Sequence, residues 1–376
     1  MESVSKHLPI LLDRAKSGSY VALPVKRVHI PKDTGSETRP IGIPATEDKL
    51  LQRAVAMLLE PIYEQDFLEC SYGFRMGRSA HGALEALRNQ GMGHKVRWIV
   101  EIDIRKFFDT MDHGHLRAFL RHRVRDGVIT KLAGKWLKAG VLEGGSVHYP
   151  EEGTPQGGSI SPLLSNIYLH YVLDLWFAAK VKRTLKGRSF LVRYADDAVL
   201  GFECKEDAER VMKLLPERFE RFGLSLHPEK TRLIPFARPS GSGGIAPGTF
   251  DFLGFTHYWA KSRKGWWVIK RKTACSRLNR GLERVAAWCR RNLHRPVQEQ
   301  HQALCQKLNG HFVYFGITGN GLWLNKYRQG VKKRWHTWLN RRSGNAAMSW
   351  ERFNRLLLRY PLPPPVVVHS IYAAKP

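Results

Sequence analysis

Two adjacent acidic residues between two short apolar runs constrain the fold of this chain more than any other feature. The runs are residues 190–192 and 198–200, and the acids between them are Asp196 and Asp197. Apolar runs this short, separated by a few polar residues, are typical of a β-hairpin with buried strands. The two carboxylates would repel each other in the turn, and a divalent cation would remove the repulsion because Mg²⁺ prefers carboxylate oxygens. A solvated pair of turn acids is the alternative that this pattern leaves open.

A third acid ends another predicted strand. Residues 96–104 have the pattern of a buried strand, and Asp103 lies at its end. We expect this strand to share a sheet with the hairpin, so that Asp103, Asp196 and Asp197 together hold two Mg²⁺ ions. Two ions about 3.5–4 Å apart clamp the attacking and leaving oxygens in phosphoryl transfer. The three acids therefore predict a phosphoryl-transfer site.

The chain is strongly basic, and its charge is unevenly distributed. It contains 61 Lys or Arg and 33 Asp or Glu, which gives a net charge of +28. Residues 256–376 hold 24 of the basic residues and three acids, whereas residues 1–255 hold 37 and 30. Self-repulsion opposes compaction of so basic a chain, and a nucleic-acid partner would offset it. We expect a catalytic part followed by a binding part; a basic protein without such a partner is the alternative.

Cysteine usage and hydropathy restrict the class of protein further. The five cysteines are scattered without a C-x-x-C pair, which argues against a zinc ribbon and favours reduced thiols. We find no run of about 18 apolar residues and no signal-peptide pattern. The sequence therefore predicts a cytoplasmic protein without a membrane partner.

Apolar periodicity predicts a mixed helix and strand part followed by a helical part. Strands are predicted over 23–30, 39–44, 96–104, 190–202 as a hairpin, and 250–269. Helices are predicted from Glu47, from Ser79, over 116–123 with Asp112 as its cap, over 163–177, over 207–222, and from Thr273 onward. Residues 238–248, which are rich in Gly, Pro and Ser, are expected to form a loop.

Seven short blocks occur in a fixed order along the chain. They are 39–44 (RPIGIP), 71–75 (SYGFR), Asp103 with Phe108, 155–157 (PQG), 194–197 (YADD), 227–231 (HPEKT) and 252–255 (FLGF). In this order they resemble the successive blocks of a reverse transcriptase. More narrowly, the chain resembles the reverse transcriptases encoded by bacterial group II introns, which are also called maturases. The resemblance runs from about residue 20 to the end.

The resemblance implies an α+β fold of the right-hand polymerase type. Residues 1–95 would form the fingers, 96–269 the palm with an antiparallel sheet, and 270–376 a helical thumb or maturase domain. The implied activity is RNA-directed DNA synthesis, which copies intron RNA into cDNA with two Mg²⁺ as cofactors, together with assistance to splicing. The implied partners are group II intron RNA, a DNA primer and target, and deoxynucleoside triphosphates; a homodimer is left open.

The resemblance also implies roles for single residues. The catalytic and metal-binding residues would be Asp103, Asp196 and Asp197. Phe108 would lie under the incoming sugar and exclude a 2′-hydroxyl. Lys32 and Arg39 would grip the triphosphate, with a solvated basic turn as the alternative. Gln156 would touch the nucleotide or the template, and Lys230 would bind nucleotide near the active site.

The basic final part resembles the maturase domain of the same family. Structured RNA suits such a surface, because phosphate contact and base stacking both contribute to binding. The RNA-binding residues would be Lys332, Lys333, Arg334, Arg341 and Arg342. Most of the aromatic residues, including Phe312, Trp335 and Trp338, are expected to form the core of a helix bundle instead.

The chain departs from the family's usual pattern in two places, and the sequence leaves two other functions open. Few residues precede the first fingers strand, and no endonuclease-like segment follows the thumb, so we expect an enzyme with a short N-terminus and no endonuclease domain. One alternative is a splicing cofactor that binds RNA without polymerising, which the intact carboxylates disfavour. The other is a domesticated reverse transcriptase in phage defence, which the thumb pattern disfavours.

Overall fold

The chain forms two compact units. The computed structural model describes residues 2–31, 38–149, 153, 157–239, 246–342 and 348–371, without the side chains of residues 2–6, 31 and 39. The first unit is Met1–Ala246 and the second is Pro247–Pro376. Both contain helices and strands, which confirms the predicted α+β class. The finer division into fingers, palm and thumb remains a prediction.

The first unit mixes helices with short strands. Its helices are α1 (Glu2–Ser17), α2 (Thr46–Glu64), α3 (Ala80–Gly93), α4 (Phe107–Thr110), α5 (His113–Arg121), α6 (Gly127–Leu137), α7 (Ser161–Leu169) and α8 (Lys205–Glu220). Its strands are β1 (Val25–Pro31), β2 (Thr38–Ile43), β3 (Trp98–Ile102), β4 (Ile104–Arg105), β5 (Val141–Glu143), β6 (Ser146–His148), β7 (Ser189–Tyr194), β8 (Asp197–Phe202), β9 (Ser225–Leu226) and β10 (Arg232–Pro235). As predicted, Asp112 caps α5, where its side chain accepts a hydrogen bond from the His115 N–H.

An antiparallel sheet in the order β10-β3-β8-β7 forms the centre of the first unit. Strands β7 and β8 are buried along almost their whole length. This burial explains why the sequence shows two continuous apolar runs rather than an alternating pattern. The core also takes side chains from the helices, such as Leu59, Ile167 and Leu215.

The helix that the sequence predicts over 163–177 changes from an α-helix to a π-helix part-way along its length. It is α-helical as α7, and then continues as two π-helical stretches, His170–Asp174 and Trp176–Val181. π-Helical turns are rare and occur frequently at functional sites. Asp174 lies in the first of these stretches and is fully buried.

The second unit is a small sheet with a helix bundle. The strands are β11 (Phe250–Phe252), β12 (Phe255–Lys261) and β13 (Trp267–Thr273), and the helices are α9 (Cys275–Arg291), α10 (Val297–Phe315), α11 (Gly321–Asn340) and α12 (Trp350–Arg359). Phe312 and Trp335 are buried and Trp338 packs against the same core, which confirms that these aromatics belong to the bundle. No helix in the described part of the chain is long and apolar enough to cross a membrane.

Candidate active site

The acidic pair lies at a two-residue hairpin turn. Tyr194 pairs with Asp197 at the end of β7 and β8, so Ala195 and Asp196 form the turn. Ala195 has a backbone φ of 56°, and the turns that fit two-residue hairpins need a positive φ at this position. This region of backbone space is unfavourable for any residue with a Cβ atom. Contacts from the surrounding structure must therefore hold the turn.

Strand register brings Asp103 to this turn. Strands β3 and β8 are antiparallel, with Ile102 opposite Ala198. If this register continues by one residue, Asp103 is opposite Asp197. Facing residues of antiparallel strands have Cα atoms about 4.5–5.5 Å apart. The strand that carries Asp103 and the hairpin thus share one sheet, as the sequence predicts.

A turn formed by residues 227–231 fixes the backbone of Asp103. The N–H of His227 donates to the Asp103 carbonyl at 2.8 Å, and the Thr231 hydroxyl lies 3.4 Å from that oxygen and from the Asp103 nitrogen. On this edge, β3 pairs with β10 up to Glu101, and β4 pairs with β9 from Ile104. The turn therefore lies opposite the break between β3 and β4, and its hydrogen bonds hold the backbone of Asp103 in place.

Lys230, a predicted nucleotide-binding residue, lies beside the predicted metal ligand Asp103. Its Nζ atom is 3.6 Å from Oδ2 of Asp103, and the two side chains are 61% and 35% exposed. Exposed ion pairs contribute little to stability. The ammonium can therefore exchange the carboxylate for a phosphate at small cost.

The chemistry of the three acids suits Mg²⁺, because carboxylate oxygens are the ligands that this cation prefers. The ammonium of Lys230 beside Asp103 shows that a cation is accommodated at this edge of the sheet. Within the described ranges, however, no three His, Cys, Asp or Glu side chains already form a group that could hold a metal ion. The carboxylates thus lie on neighbouring chain segments rather than in a closed cage, and the two ions remain a prediction.

The segment 71–73 packs against the acidic turn. The N–H of Tyr72 donates to the carbonyl of Arg193 at 2.9 Å. A Cβ atom on Gly73 would lie 2.4 Å from the backbone nitrogen of Ala195. Only glycine permits so close an approach of two backbones. The SYGFR block therefore supports the turn directly, a role that the sequence did not indicate.

Phe108 lies in α4, five residues after Asp103. Its ring is half-buried and packs edge-on against Phe107, with 5.3 Å between the ring centroids. The helix follows Lys106, which has a left-handed backbone with φ 47°. The chain thus turns sharply after β4 and fixes the direction of the Phe108 ring. Contact of this ring with a sugar remains a prediction.

Gly153 and Gly157 lie against the backbone of neighbouring elements. A Cβ atom on Gly153 would lie 2.8 Å from the Phe108 carbonyl oxygen, and one on Gly157 would lie 2.5 Å from the Gly42 carbonyl oxygen. The backbone of α4 and of β2 occupies the space that these glycines free. They therefore permit close packing of backbone within the protein.

Three other predicted nucleotide-binding residues are not fully described. Lys32 and Gln156 lie outside the described residues, and only the backbone of Arg39, in β2, is described. Their contacts with the triphosphate or the template remain predictions.

A comparison with known protein families decides to which family the chain belongs. Residues 30–257, more than half of the chain, match the family described as "Reverse transcriptase (RNA-dependent DNA polymerase)". The chain belongs to the reverse transcriptase family. The match contains Asp103, both acids of the turn and Lys230, so the candidate site lies within the region that defines the family.

Relatives of this reverse transcriptase include intron-encoded proteins. The chain is 44% identical over 169 residues to the group II intron-encoded protein LtrA of Lactococcus lactis, a match that covers 44% of the chain and 28% of LtrA. It is 40% identical over 221 residues to protein YkfC of Escherichia coli, covering 51% of the chain and 58% of YkfC. The chain thus matches less than two thirds of the length of these curated relatives.

A solved structure supports the fold of the family. Telomerase from Candida albicans, determined with a fragment of telomeric RNA, superposes with a TM-score of 0.50 at 14% sequence identity. The superposition covers 90% of this chain and 61% of the telomerase chain. At this identity the likeness concerns the fold alone.

The five predicted RNA-binding cations of this reverse transcriptase differ in their contacts. Lys332 donates to an asparagine of α12, Arg341 lies over a tryptophan ring, and Arg342 donates to two backbone carbonyls. Lys333 and Arg334 are exposed, and within the described part of the chain their side chains have no hydrogen bond or ion pair. These two side chains are thus the most available for phosphate contact.

A basic cavity in the first unit was missed by the sequence reasoning. Its volume is about 530 Å³, and the described residues that line it include five cations and no acid. The cations are Arg117 and Arg121 of α5, Lys131 and Lys135 of α6, and Lys138, which directly follows α6 as its C-cap. Their spacing of three or four residues places them on one face of each helix, and this spacing was the available signal. A surface that collects like charges is suited to a polyanion.

Proposed function

We propose that this chain is the RNA-directed DNA polymerase of a group II intron, which copies intron RNA into cDNA and assists intron splicing. The observation that carries the polymerase assignment is the antiparallel pairing of Ile102 with Ala198, which directs the next residue, Asp103, toward the turn that bears Asp196 and Asp197. Membership of the reverse transcriptase family supports the reaction. The similarity to an intron-encoded protein supports intron RNA as the template.

We assign Asp103, Asp196 and Asp197 as the residues that would hold two Mg²⁺ ions. When bound, Mg²⁺ supplies charge neutralisation at the attacking and leaving oxygens of phosphoryl transfer. The protein itself keeps the carboxylates on neighbouring segments, through the turn 227–231 that binds the Asp103 backbone and the tight turn before Asp197. Lys230 is close enough to Asp103 to donate to the triphosphate, since charge-assisted hydrogen bonds suit phosphate oxygens. Phe108 would limit the space beneath the incoming sugar.

The proposed partners follow from charge. Intron RNA would contact Lys333 and Arg334 in the second unit and the basic cavity in the first, because neutralised phosphates release counterions. A DNA primer and deoxynucleoside triphosphates would meet at the carboxylates. We further propose that residues 1–95 act as fingers, 96–269 as palm and 270–376 as thumb or maturase domain.

Primer extension on a defined RNA template tests the polymerase assignment. The purified chain with Mg²⁺ and deoxynucleoside triphosphates should extend a DNA primer, and Asp196→Asn should abolish extension while RNA affinity changes less than about twofold. Asp109→Asn is the matched control, because Asp109 is an exposed acid on α4 outside the proposed ligand set. It should extend at the wild-type rate. A wild-type chain that fails to extend, or an active Asp196→Asn variant, would overturn the assignment.

A splicing assay tests the second half of the proposal. The chain should accelerate splicing of the group II intron RNA that surrounds its reading frame at low Mg²⁺ concentration. Asp196→Asn should keep this effect, because RNA binding does not need the carboxylate. An effect lost together with polymerisation would contradict the separation of the two roles.

A further inference from the structure

The Arg193 side chain lies directly beneath the acidic turn and is completely buried. It is the penultimate residue of β7, two residues before Ala195, and neither it nor its partner Asp174 is exposed to solvent. Burial acts to lower the pKa of Arg193, but the attraction and hydrogen bonds of Asp174 outweigh it and raise the pKa above its ordinary value. The guanidinium is therefore charged inside the core.

All five N–H groups of this guanidinium have an acceptor. They donate to the two carboxylate oxygens of Asp174 (2.8 and 2.6 Å), Asn166 Oδ1 (2.9 Å), Ser71 Oγ (2.8 Å) and the carbonyl oxygen of Ala195 (2.9 Å). A guanidinium has five N–H donors in a rigid planar fork, so every donor of Arg193 is used. Arg193 thus joins the turn to two separate segments of the chain, the helix that carries Asn166 and Asp174 and the segment at Ser71.

The bond to Ala195 is the one that concerns the proposed site. Ala195 holds the left-handed φ of the turn, and such a conformation persists only when its surroundings impose it. Asn166 reinforces the arrangement, because its amide donates to the carbonyl of Gly73, whose backbone touches Ala195. The negative charge of Asp196 also stabilises the charged guanidinium and so helps to raise the pKa of Arg193. The buried cation therefore offsets part of the repulsion in the acidic turn.

The stability of the fold does not by itself explain why the ion pair of Arg193 and Asp174 is buried in the core. Replacing a buried ion pair by apolar side chains of similar volume is often neutral or stabilising, whereas removing one partner is strongly destabilising. A well-packed apolar core could thus take the place of Arg193 and Asp174. It could not donate a hydrogen bond to the Ala195 carbonyl. The specific property of the pair is its hold on the turn.

We propose that Arg193 is a positioning residue, which fixes the Ala195–Asp196 turn so that the carboxylates keep the spacing required for catalysis, and that Asp174 is the counter-charge that allows it to be buried. This inference rests on the proposed polymerase function. A displacement of about 1 Å at a catalytic group can lower the rate about 100-fold. Loss of the bond should therefore act on kcat more than on KM.

The test uses a double variant that removes both charges and keeps the volume, Arg193→Met with Asp174→Leu. We expect a folded protein with a lower melting temperature, because Asn166 Oδ1, Ser71 Oγ and the Ala195 carbonyl lose their donor. The kcat for primer extension should fall by about 100-fold, and the KM for the deoxynucleotide should change less than threefold. Hydrogen–deuterium exchange over residues 190–200 should become faster, which reports the loosened turn without relying on activity. A folded double variant with wild-type kcat and exchange would overturn the proposal.

Two further variants test the positioning role of Arg193 if the double variant does not fold. Arg193→Lys retains the charge for Asp174 but loses the planar fork, so we expect a folded protein with kcat lowered at least tenfold. Asp207→Asn is the control, because Asp207 is also a buried carboxylate but accepts hydrogen bonds from the backbone of Lys186 and Gly187 and not from Arg193. The kcat of this variant should equal that of the wild type. An Arg193→Lys variant at the wild-type rate would refute the positioning role. A wild-type chain without extension would instead refute the proposed function.

Discussion

Replacing Gly73 with alanine should move the acidic turn and slow polymerisation. The added Cβ atom would lie 2.4 Å from the Ala195 nitrogen and 3.1 Å from both Ala195 Cα and the Tyr194 carbonyl carbon. Ordinary contact begins near 3.4 Å, so the two backbones must separate by about 1 Å. A shift of this size at catalytic groups can cost about 100-fold in rate. Overpacking of this kind typically costs about 1–3 kcal/mol of stability.

Steady-state primer extension and thermal unfolding measure the two effects separately. Gly82→Ala in α3 is the matched control, because its Cβ would make only ordinary contacts, the nearest at 3.4 Å. Alanine should also favour that helix by up to about 1 kcal/mol. We expect a large fall in kcat for Gly73→Ala alone, with the protein still folded at the assay temperature. If Gly73→Ala keeps a kcat within threefold of the wild type, the close approach does not position the turn.

Three other predictions concern the sugar pocket, the RNA surface and pH. Phe108→Val should raise the relative kcat/KM for ribonucleotides about tenfold or more, because it removes bulk from the proposed sugar pocket; an unchanged ratio would exclude Phe108 from selecting the sugar. Removing the charges of Lys333 and Arg334 should flatten the dependence of log K on log salt for RNA binding by about 0.7–0.9 per residue; an equal slope would mean that neither contacts phosphate. Burial holds the pKa of His257 at about 3, so the unfolded state binds a proton that the folded state excludes between pH 6.5 and 3. Stability should fall through this window by up to about 1.4 kcal/mol per pH unit, and His257→Phe should reduce the fall; an unchanged pH profile in unfolding experiments would contradict this.

A matched pair of variants serves as the control for the RNA experiment. Neutralising Arg341 and Arg342 removes the same charge as neutralising Lys333 and Arg334, but these arginines already contact a ring and backbone carbonyls. Their loss should change the salt slope less.

Local sequence patterns predicted much of the site. The hairpin, the strand that ends at Asp103 and the cap at Asp112 all depend on residues close together in the chain, and the structure contains each of them. The order of the blocks indicated the family, which the comparison confirms. The excess of positive charge indicated a nucleic-acid partner, although composition could not say which cations remain available.

Supporting contacts between distant segments were not predictable in the same way. Arg193 is adjacent to apolar residues in an apolar strand, and nothing local shows that it is buried against Asp174 or that it holds Ala195. Nothing in the local sequence shows what lies beside the glycines at 153 and 157, and only the structure shows that protein backbone occupies this space. A sequence pattern identifies a residue that allows close approach, but not what approaches it.

The chain's own sequence determined which acids are available, that two of them share a tight turn, and that basic residues dominate the final third. These properties follow from local periodicity and composition. The tertiary structure decided that β3 pairs with the hairpin in a register that directs Asp103 toward the turn, and that a buried guanidinium donates to that turn. It also decided that Lys333 and Arg334 stay unpaired among the described residues. The physical reason is distance along the chain: the Thr231 hydroxyl that contacts Asp103 is 128 residues away, and only folding brings such groups together.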